Sequence, residues 1–260
     1  MEYPMYQVDA FSAHRFHGNP AAVVLLPGWL ADTTLQAVAA ENNLAETAFV
    51  VPEGPGFHIR WFTPAVEIDL CGHATLASAF VLFTHGHATG DRVTFRSASG
   101  ELAVEREGEL LALDFPSRPA QEVGADPALT AALGKAPARV AKARDLLAVF
   151  ATEADVRGLQ PDFVALARLD ALGVIVTAPG TDCDFVSRFF APRAGIPEDP
   201  VTGSAHCTLV PYWSRRLGKT RLHARQVSPR GGELFCEDRG SRVRIAGRAV
   251  EYLKGTIVTD

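Results

Sequence analysis

The chain has little sulfur and few polar aromatics: among 260 residues there are four cysteines, two methionines, three tryptophans and four tyrosines. Cys71, Cys183, Cys207 and Cys236 form no CxxC pair and are too few for a disulfide framework. That points to a reduced, cytoplasmic compartment. The eight histidines form no HExxH, and no Cys/His cluster has zinc-like spacing, so no metal is expected. GxxxxGK(S/T) and GxGxxG are absent, which argues against a phosphate loop or a dinucleotide cofactor. GxSxG is absent too, against a serine hydrolase. The N-terminal stretch has no basic segment followed by an apolar one, so no signal peptide is expected. The uncharged stretch Leu70–Gly86 carries two histidines, two threonines and a serine. It is shorter and more polar than a membrane span. Positive charge is also scarce. A net charge of −5 disfavours nucleic acid or an anionic membrane as a partner.

What is present reads as a folded α/β chain. Hydrophobic residues make up 47%, enough to exclude wholesale disorder. The length fits one large domain or two of roughly 100–130 residues each. Strands are predicted at Tyr6–Phe11, Ala21–Leu26, Thr47–Val51, Phe57–Phe62, Arg92–Arg96, Glu101–Glu107 and Leu110–Phe115. A helix is predicted over Asp32–Glu41. Cys71–Phe83 is apolar all round, as a central helix wrapped by sheet must be. A Pro-rich seam at 116–127 separates residues 1–118 from 119–260. Beyond it, strands are predicted at Arg144–Ala151, Gly173–Ala178, Asp184–Phe190, Gly232–Asp238 and Arg242–Val258. Helices are predicted at Pro127–Leu133, Glu153–Leu159, Pro161–Ala167 and Gly203–Leu217. Pro211 should bend or shorten the last of these, and the final strand has the option of packing back on the first domain.

The chain repeats itself across the seam. Arg60-Trp-Phe-Thr-Pro64 resembles Arg188-Phe-Phe-Ala-Pro192, and each precedes an acidic residue (Asp69, Asp199), a glycine and a helix. Two similar domains would leave a cleft, a usual place for a small-molecule site. Gly72-His73-Ala74-Thr75 and Gly203-Ser204-Ala205-His206 each open a helix. Their free N–H groups and the dipole suit a carboxylate; the bland alternative is that the glycines only permit close packing. Glu46, alone among small and apolar residues at a strand entry, reads as a general base or as a solvated loop residue. His73 reads as a proton relay or substrate partner, against a satisfied core histidine. Asp199 and Ser204 read as substrate contacts or as local helix caps.

Several blocks carry a family likeness: Phe16-His-Gly-Asn-Pro-Ala-Ala-Val-Val24, Asn43-Leu-Ala-Glu-Thr-Ala-Phe49, Asp69-Leu-Cys-Gly-His-Ala-Thr75, Glu198-Asp-Pro-Val-Thr-Gly-Ser-Ala-His206 and Gln226-Val-Ser-Pro-Arg-Gly-Gly232. With the first arginine motif, they resemble the PhzF family, named for a phenazine-biosynthesis isomerase, over essentially the whole chain. The resemblance implies an α/β (α+β) fold of two similar domains, each a mixed β-sheet rolled around a central helix, as in diaminopimelate epimerase. It implies a cofactor-independent isomerase acting on a small carboxylated metabolite, as in the type reaction on dihydro-hydroxyanthranilate. It suggests a homodimer. Glu46, His73, Asp199 and Ser204 match the family's catalytic positions; Gly72, Ala74, Thr202 and Gly203 match its substrate-holding backbone. Two-base racemases of this fold place a cysteine at each helix start. Here Cys71 stands at the first and Thr202 at the second, and a hydroxyl is too weak an acid to replace a thiol. That disfavours an amino-acid racemase or epimerase. A non-catalytic binding module is the remaining alternative.

Overall fold

A computed structural model describes all 260 residues. The chain divides into two compact units, Met1–Asp114 with Ala246–Asp260, and Phe115–Ile245. The first unit contains β1 (Glu2–Ala10), β2 (Asn19–Leu25), α1 (Asp32–Asn42), β3 (Glu46–Glu53), β4 (Gly56–Phe62), β5 (Glu67–Ile68), α2 (Gly72–Thr84), β6 (Arg92–Ser97), β7 (Gly100–Glu107) and most of β8 (Leu110–Pro116). Its strands pair β1–β2 antiparallel, β2–β3 parallel, β3–β4 and β4–β5 antiparallel, β4–β6 parallel, then β6–β7 and β7–β8 antiparallel.

The second unit holds β9 (Gln121–Val123), α3 (Pro127–Leu133), β10 (Arg139–Lys142), β11 (Leu146–Val149), α4 (Glu153–Gly158), α5 (Phe163–Leu166), β12 (Val174–Pro179), β13 (Phe185–Ala191), β14 (Ile196–Asp199), α6 (Gly203–Leu217), β15 (Arg221–Gln226), β16 (Gly232–Asp238) and β17 (Arg242–Gly247). Pairing repeats the same series: β10–β11 antiparallel, β11–β12 parallel, β12–β13 and β13–β14 antiparallel, β13–β15 parallel, β15–β16 antiparallel. The last strand, β18 (Ala249–Val258), pairs antiparallel with β1 in the first unit, and β9 takes the equivalent edge beside β10. No helix is long and apolar enough to cross a membrane.

In each unit one helix lies against several strands. α2 contacts β1, β2, β3, β7 and β18. Leu76, Ala77, Ala79, Val81 and Leu82 are fully buried, and the alanines let the sheet close on it. Its buried hydroxyls are satisfied within the helix: Thr75 Oγ1 donates to the Cys71 carbonyl (2.5 Å) and Ser78 Oγ to that of Ala74 (2.7 Å). α1 covers the other side of the sheet through Leu35 and Ala39, packed with Val24, Phe49 and Phe62. In the second unit Leu129, Val156, Val176 and Phe190 centre the comparable outer core.

The structure explains the arginine repeat. Arg60 on β4 is bidentate to Glu67 on β5, at 2.7 Å for both bonds, and lies 5.2 Å from the Phe62 ring. Arg188 on β13 is bidentate to Glu198 on β14, at 2.7 and 2.9 Å, and lies 5.0 Å from the Phe190 ring. Trp61 faces Ile68, and Phe189 faces Asp199. Asp199 therefore corresponds to Ile68, not to Asp69 as the sequence alignment has it. The second copy has three more residues between Pro192 and Gly203 than the first has between Pro64 and Gly72, and a 3₁₀ turn at Pro192–Ala194 takes them up.

α6 is not shortened by Pro211; it runs to Leu217. Proline deprives the carbonyl four residues back of its donor. That carbonyl, on Cys207, instead accepts the Arg118 N–H at 2.9 Å. The seam thus serves as a partner for the helix. Arg242–Val258 is two strands, broken at Arg248.

His206 on α6 is fully buried and donates from Nδ1 to the Thr202 carbonyl at 2.8 Å. Burial lowers its pKa to about 4. A depressed histidine leaves the folded state binding fewer protons than the unfolded chain below pH ~6.5, so stability falls as pH drops from ~6.5 towards 4. The loss amounts to about 3 kcal/mol from this group. His206→Gln should remove most of that slope in urea unfolding measured at pH 7 and at pH 4.5. An unchanged slope would show that His206 is not the titrating group.

Candidate active site

The residues singled out in the sequence fall into two groups, one per unit. In the first, Glu46 opens β3 and His73 occupies the first turn of α2. They are 27 positions apart in sequence, yet His73 Nε2 stands 3.0 Å from Glu46 Oε2. Both side chains are more than nine-tenths buried. The two atoms are close but poorly aimed at each other, and each is buried without a hydrogen-bond partner. A buried polar atom in that state is costly, and functional sites are where such cost is found.

The other face of the imidazole is also occupied. Asn19 Nδ2 lies 3.3 Å from His73 Nδ1, and Cys71 Sγ lies 3.5 Å from it. Burial opposes a charge on His73, but the Cys71 sulfur and the Glu46 carboxylate together outweigh it, and its pKa is held well above the ordinary value. Burial, seconded by Glu46, pushes the Cys71 thiol up. Cys71 is therefore a thiol at neutral pH. A raised histidine adds stability that is complete below pH ~6.5 and is lost only as pH rises through the folded value. It therefore does not contribute to the acid-side slope assigned to His206.

Cys71 is the N-cap of α2, and its side chain makes no capping bond. The first intrahelical bond runs from Thr75 N–H to the Cys71 carbonyl. Gly72, His73 and Ala74 precede it, and their N–H groups are directed out of the helix start with the positive end of the dipole.

In the second unit, Thr202 is the N-cap of α6, again without a capping bond. Its Oγ1 donates to Asp199 Oδ2 at 2.5 Å. Gln226 accepts the Thr202 N–H at 2.9 Å and donates to the Asp199 carbonyl at 2.7 Å. Ser204 Oγ accepts from Arg144 at 3.1 Å, while Arg144 also grips Asp145 at 2.7 Å. Asn19, Arg144 and Gln226 were not singled out by sequence reasoning; Asn19 and Gln226 lie inside the motif blocks. The close-packing reading of Gly203 fails: a Cβ there meets nothing within 4 Å.

Strand register relates the groups. Phe62 faces Thr47, and Phe190 faces Val174. Glu46 therefore corresponds to Gly173. Counting four, five and six residues on from the paired Glu67 and Glu198, Cys71 corresponds to Thr202, Gly72 to Gly203 and His73 to Ser204. A side chain at Gly173 would collide with the Phe189 ring at 2.3 Å. The carboxylate–imidazole pair of the first unit has no counterpart in the second.

The family model for PhzC-PhzF, phenazine biosynthesis-like protein, matches residues 8–255. The chain belongs to the PhzC-PhzF family. It is 56% identical to a Pseudomonas aeruginosa protein described as an uncharacterized isomerase, with 99% of each chain covered. A crystal structure of a PhzF-family phenazine biosynthesis protein from Enterococcus faecalis matches with TM-score 0.98 at 50% identity, covering all of both chains. A hydroxyproline epimerase from Agrobacterium vitis shares the fold at TM-score 0.62 and 10% identity, over 98% of this chain and 92% of that one. The fold of this PhzC-PhzF protein is therefore the epimerase-like one, two similar domains with a mixed sheet rolled around a helix.

Proposed function

We propose that this PhzC-PhzF protein is a cofactor-independent isomerase that moves a proton within a small carboxylated metabolite, with Glu46 as its acid–base group. One observation carries the reading: a buried carboxylate and imidazole, 3.0 Å apart with no hydrogen-bond partner on the facing atoms, beside an uncapped helix start. Glu46 takes a proton from an acidic C–H. The charge left on the substrate spreads into a conjugated system, and the Gly72 and Ala74 amides stabilise a carboxylate or developing oxyanion. Glu46 then returns the proton to a different carbon on the same face. His73, whose pKa is raised, faces the carboxylate at 3.0 Å. Asp199 and Ser204, with the Thr202–Gly203 backbone, are contributors proposed from the second unit. A cytoplasmic setting, which rests on the few cysteines, and a homodimer, which rests on the family resemblance, belong to the same reading.

A racemase needs an acid–base group on each face of one carbon. Cys71 and Glu46 correspond to Thr202 and Gly173, neither of which serves. Incubation with dihydro-hydroxyanthranilate and a panel of unsaturated and α-amino carboxylates in D2O, followed by NMR and chiral analysis, tests this. Deuterium arriving with a shifted double bond supports the proposal. Inversion at a single carbon would replace it with the racemase.

Gly203 provides an independent check. Gly203→Ala puts a methyl into open space, so stability should hold or rise by up to about 1 kcal/mol. Substrate KM should rise about tenfold, roughly 1.4 kcal/mol of lost binding. A variant with normal KM would remove this helix start from the substrate site.

A further inference from the structure

The sequence shows no zinc-like spacing, yet the fold gathers three different metal donors. One ligand atom from each of Glu46, Cys71 and His73 lies within 4.8 Å of the other two, and all three residues are buried. We propose that this cluster captures a thiophilic divalent cation, Zn2+ or Cd2+, and that capture silences the acid–base pair.

The geometry is close to what such an ion needs. Zn–N, Zn–O and Zn–S bonds of about 2.0–2.3 Å put neighbouring tetrahedral ligands roughly 3.3–3.8 Å apart, so a small side-chain adjustment suffices. His73 offers Nε2 at 3.0 Å from the Glu46 oxygen, or Nδ1 at 3.5 Å from the Cys71 sulfur. Its ring supplies one nitrogen, and rotation of Cys71 or Glu46 brings in the third donor. The Nε2 and Oε2 atoms have no hydrogen-bond partner to surrender. Three protein ligands leave a fourth position open. Thiolate and imidazole favour Zn2+ and Cd2+ over Mg2+ or Ca2+. Asn19, beside His73 Nδ1, is placed as the outer partner that orients a ligating histidine.

Binding breaks the S–H bond of Cys71 as the S–metal bond forms, and the thiol proton goes to solvent. The ligating nitrogen of His73 likewise releases its proton, and no electrons are transferred. Capture also occupies the Glu46 carboxylate. Silencing, unlike binding, rests on the function proposed above.

The test titrates metal-free protein with Cd2+ and Co2+, followed by absorption. One equivalent should produce a sulfur-to-metal charge-transfer band, with Co2+ showing tetrahedral d–d absorption and protons released to an indicator. Cys71→Ser should abolish the band while keeping the wild-type melting temperature, and Cys183→Ser should keep it. Asn19→Ala should weaken affinity about 10–100-fold. A folded wild type without the band overturns the site, as does a band surviving in Cys71→Ser or lost in Cys183→Ser. Zn2+ at one equivalent should stop deuterium exchange, and a chelator should restore it. Continued exchange in the metal-loaded protein overturns the silencing. Absence of exchange from metal-free protein with every substrate counts against the proposed function, and the band still decides the metal site.

Discussion

Glu46→Gln should leave the protein folded and lower substrate-dependent deuterium exchange by about 10²–10⁴-fold, the usual contribution of a general acid–base group. The substitution keeps the shape of a side chain that is 7% exposed and removes its carboxylate, and with it the ability to carry a proton. His73 then loses the carboxylate 3.0 Å from its Nε2, one of the two groups that hold its pKa up against burial. The ring becomes easier to deprotonate, so the local structure relaxes by losing a proton rather than by moving. The check is the exchange rate by NMR, with circular dichroism on the same sample. Near-normal exchange from a folded Glu46→Gln variant would end the assignment of Glu46 as the acid–base group.

The second large effect concerns the framework. Arg188→Met should cost about 3–5 kcal/mol, because it strands Glu198 as a poorly solvated charge. Arg188 is 8% exposed, and besides Glu198 it donates to the Val156 and Leu159 carbonyls at 3.1 and 3.0 Å. One guanidinium thereby joins β13, β14 and the end of α4. The equivalent Arg60 is more open, and one of its two acidic partners, Asp32, is 76% exposed in its side chain. Arg60→Met should therefore cost less, nearer 1–2 kcal/mol. Hydrogen exchange of the β12 and β13 amides under native conditions reads the first effect, and that of β3 and β4 the second. Equal losses in the two variants would contradict the burial argument.

The sequence was most informative where periodicity and chemistry agree. α2 and α6 were legible to the residue at their starts, because a glycine followed by a dense apolar run leaves little freedom. The strands of the first unit were legible from short β-branched runs between glycines and prolines. β15 was not: Arg221–Gln226 alternates correctly, with Leu222, Ala224 and Gln226 inward, but three charged or imidazole side chains mask the pattern. β9, β10 and β14 are three or four residues long, too short to show a period. At the site, Glu46 and His73 were legible as residue types. Their approach to 3.0 Å was not, since it depends on β3 and α2 converging across 26 intervening residues. Asn19 was hidden as well. It lies within a motif block, where its residue type gives no contact, and only the fold shows its amide on the imidazole.

The return of β18 to the first unit has a consequence for how the protein is made. β1 emerges from the ribosome early, while its partner β18 follows only after the 131 residues Phe115–Ile245. With 238 residues between the end of β1 and the start of β18, synthesis at about 5–20 residues per second leaves the outer edge of β1 waiting roughly 12–48 s for its neighbour. An open strand edge is a template for pairing with other chains. The nascent first unit is thus most exposed to mispairing while the second unit is being synthesised. Slow codons or a chaperone acting within Phe115–Ile245 would change the yield of the other half of the molecule.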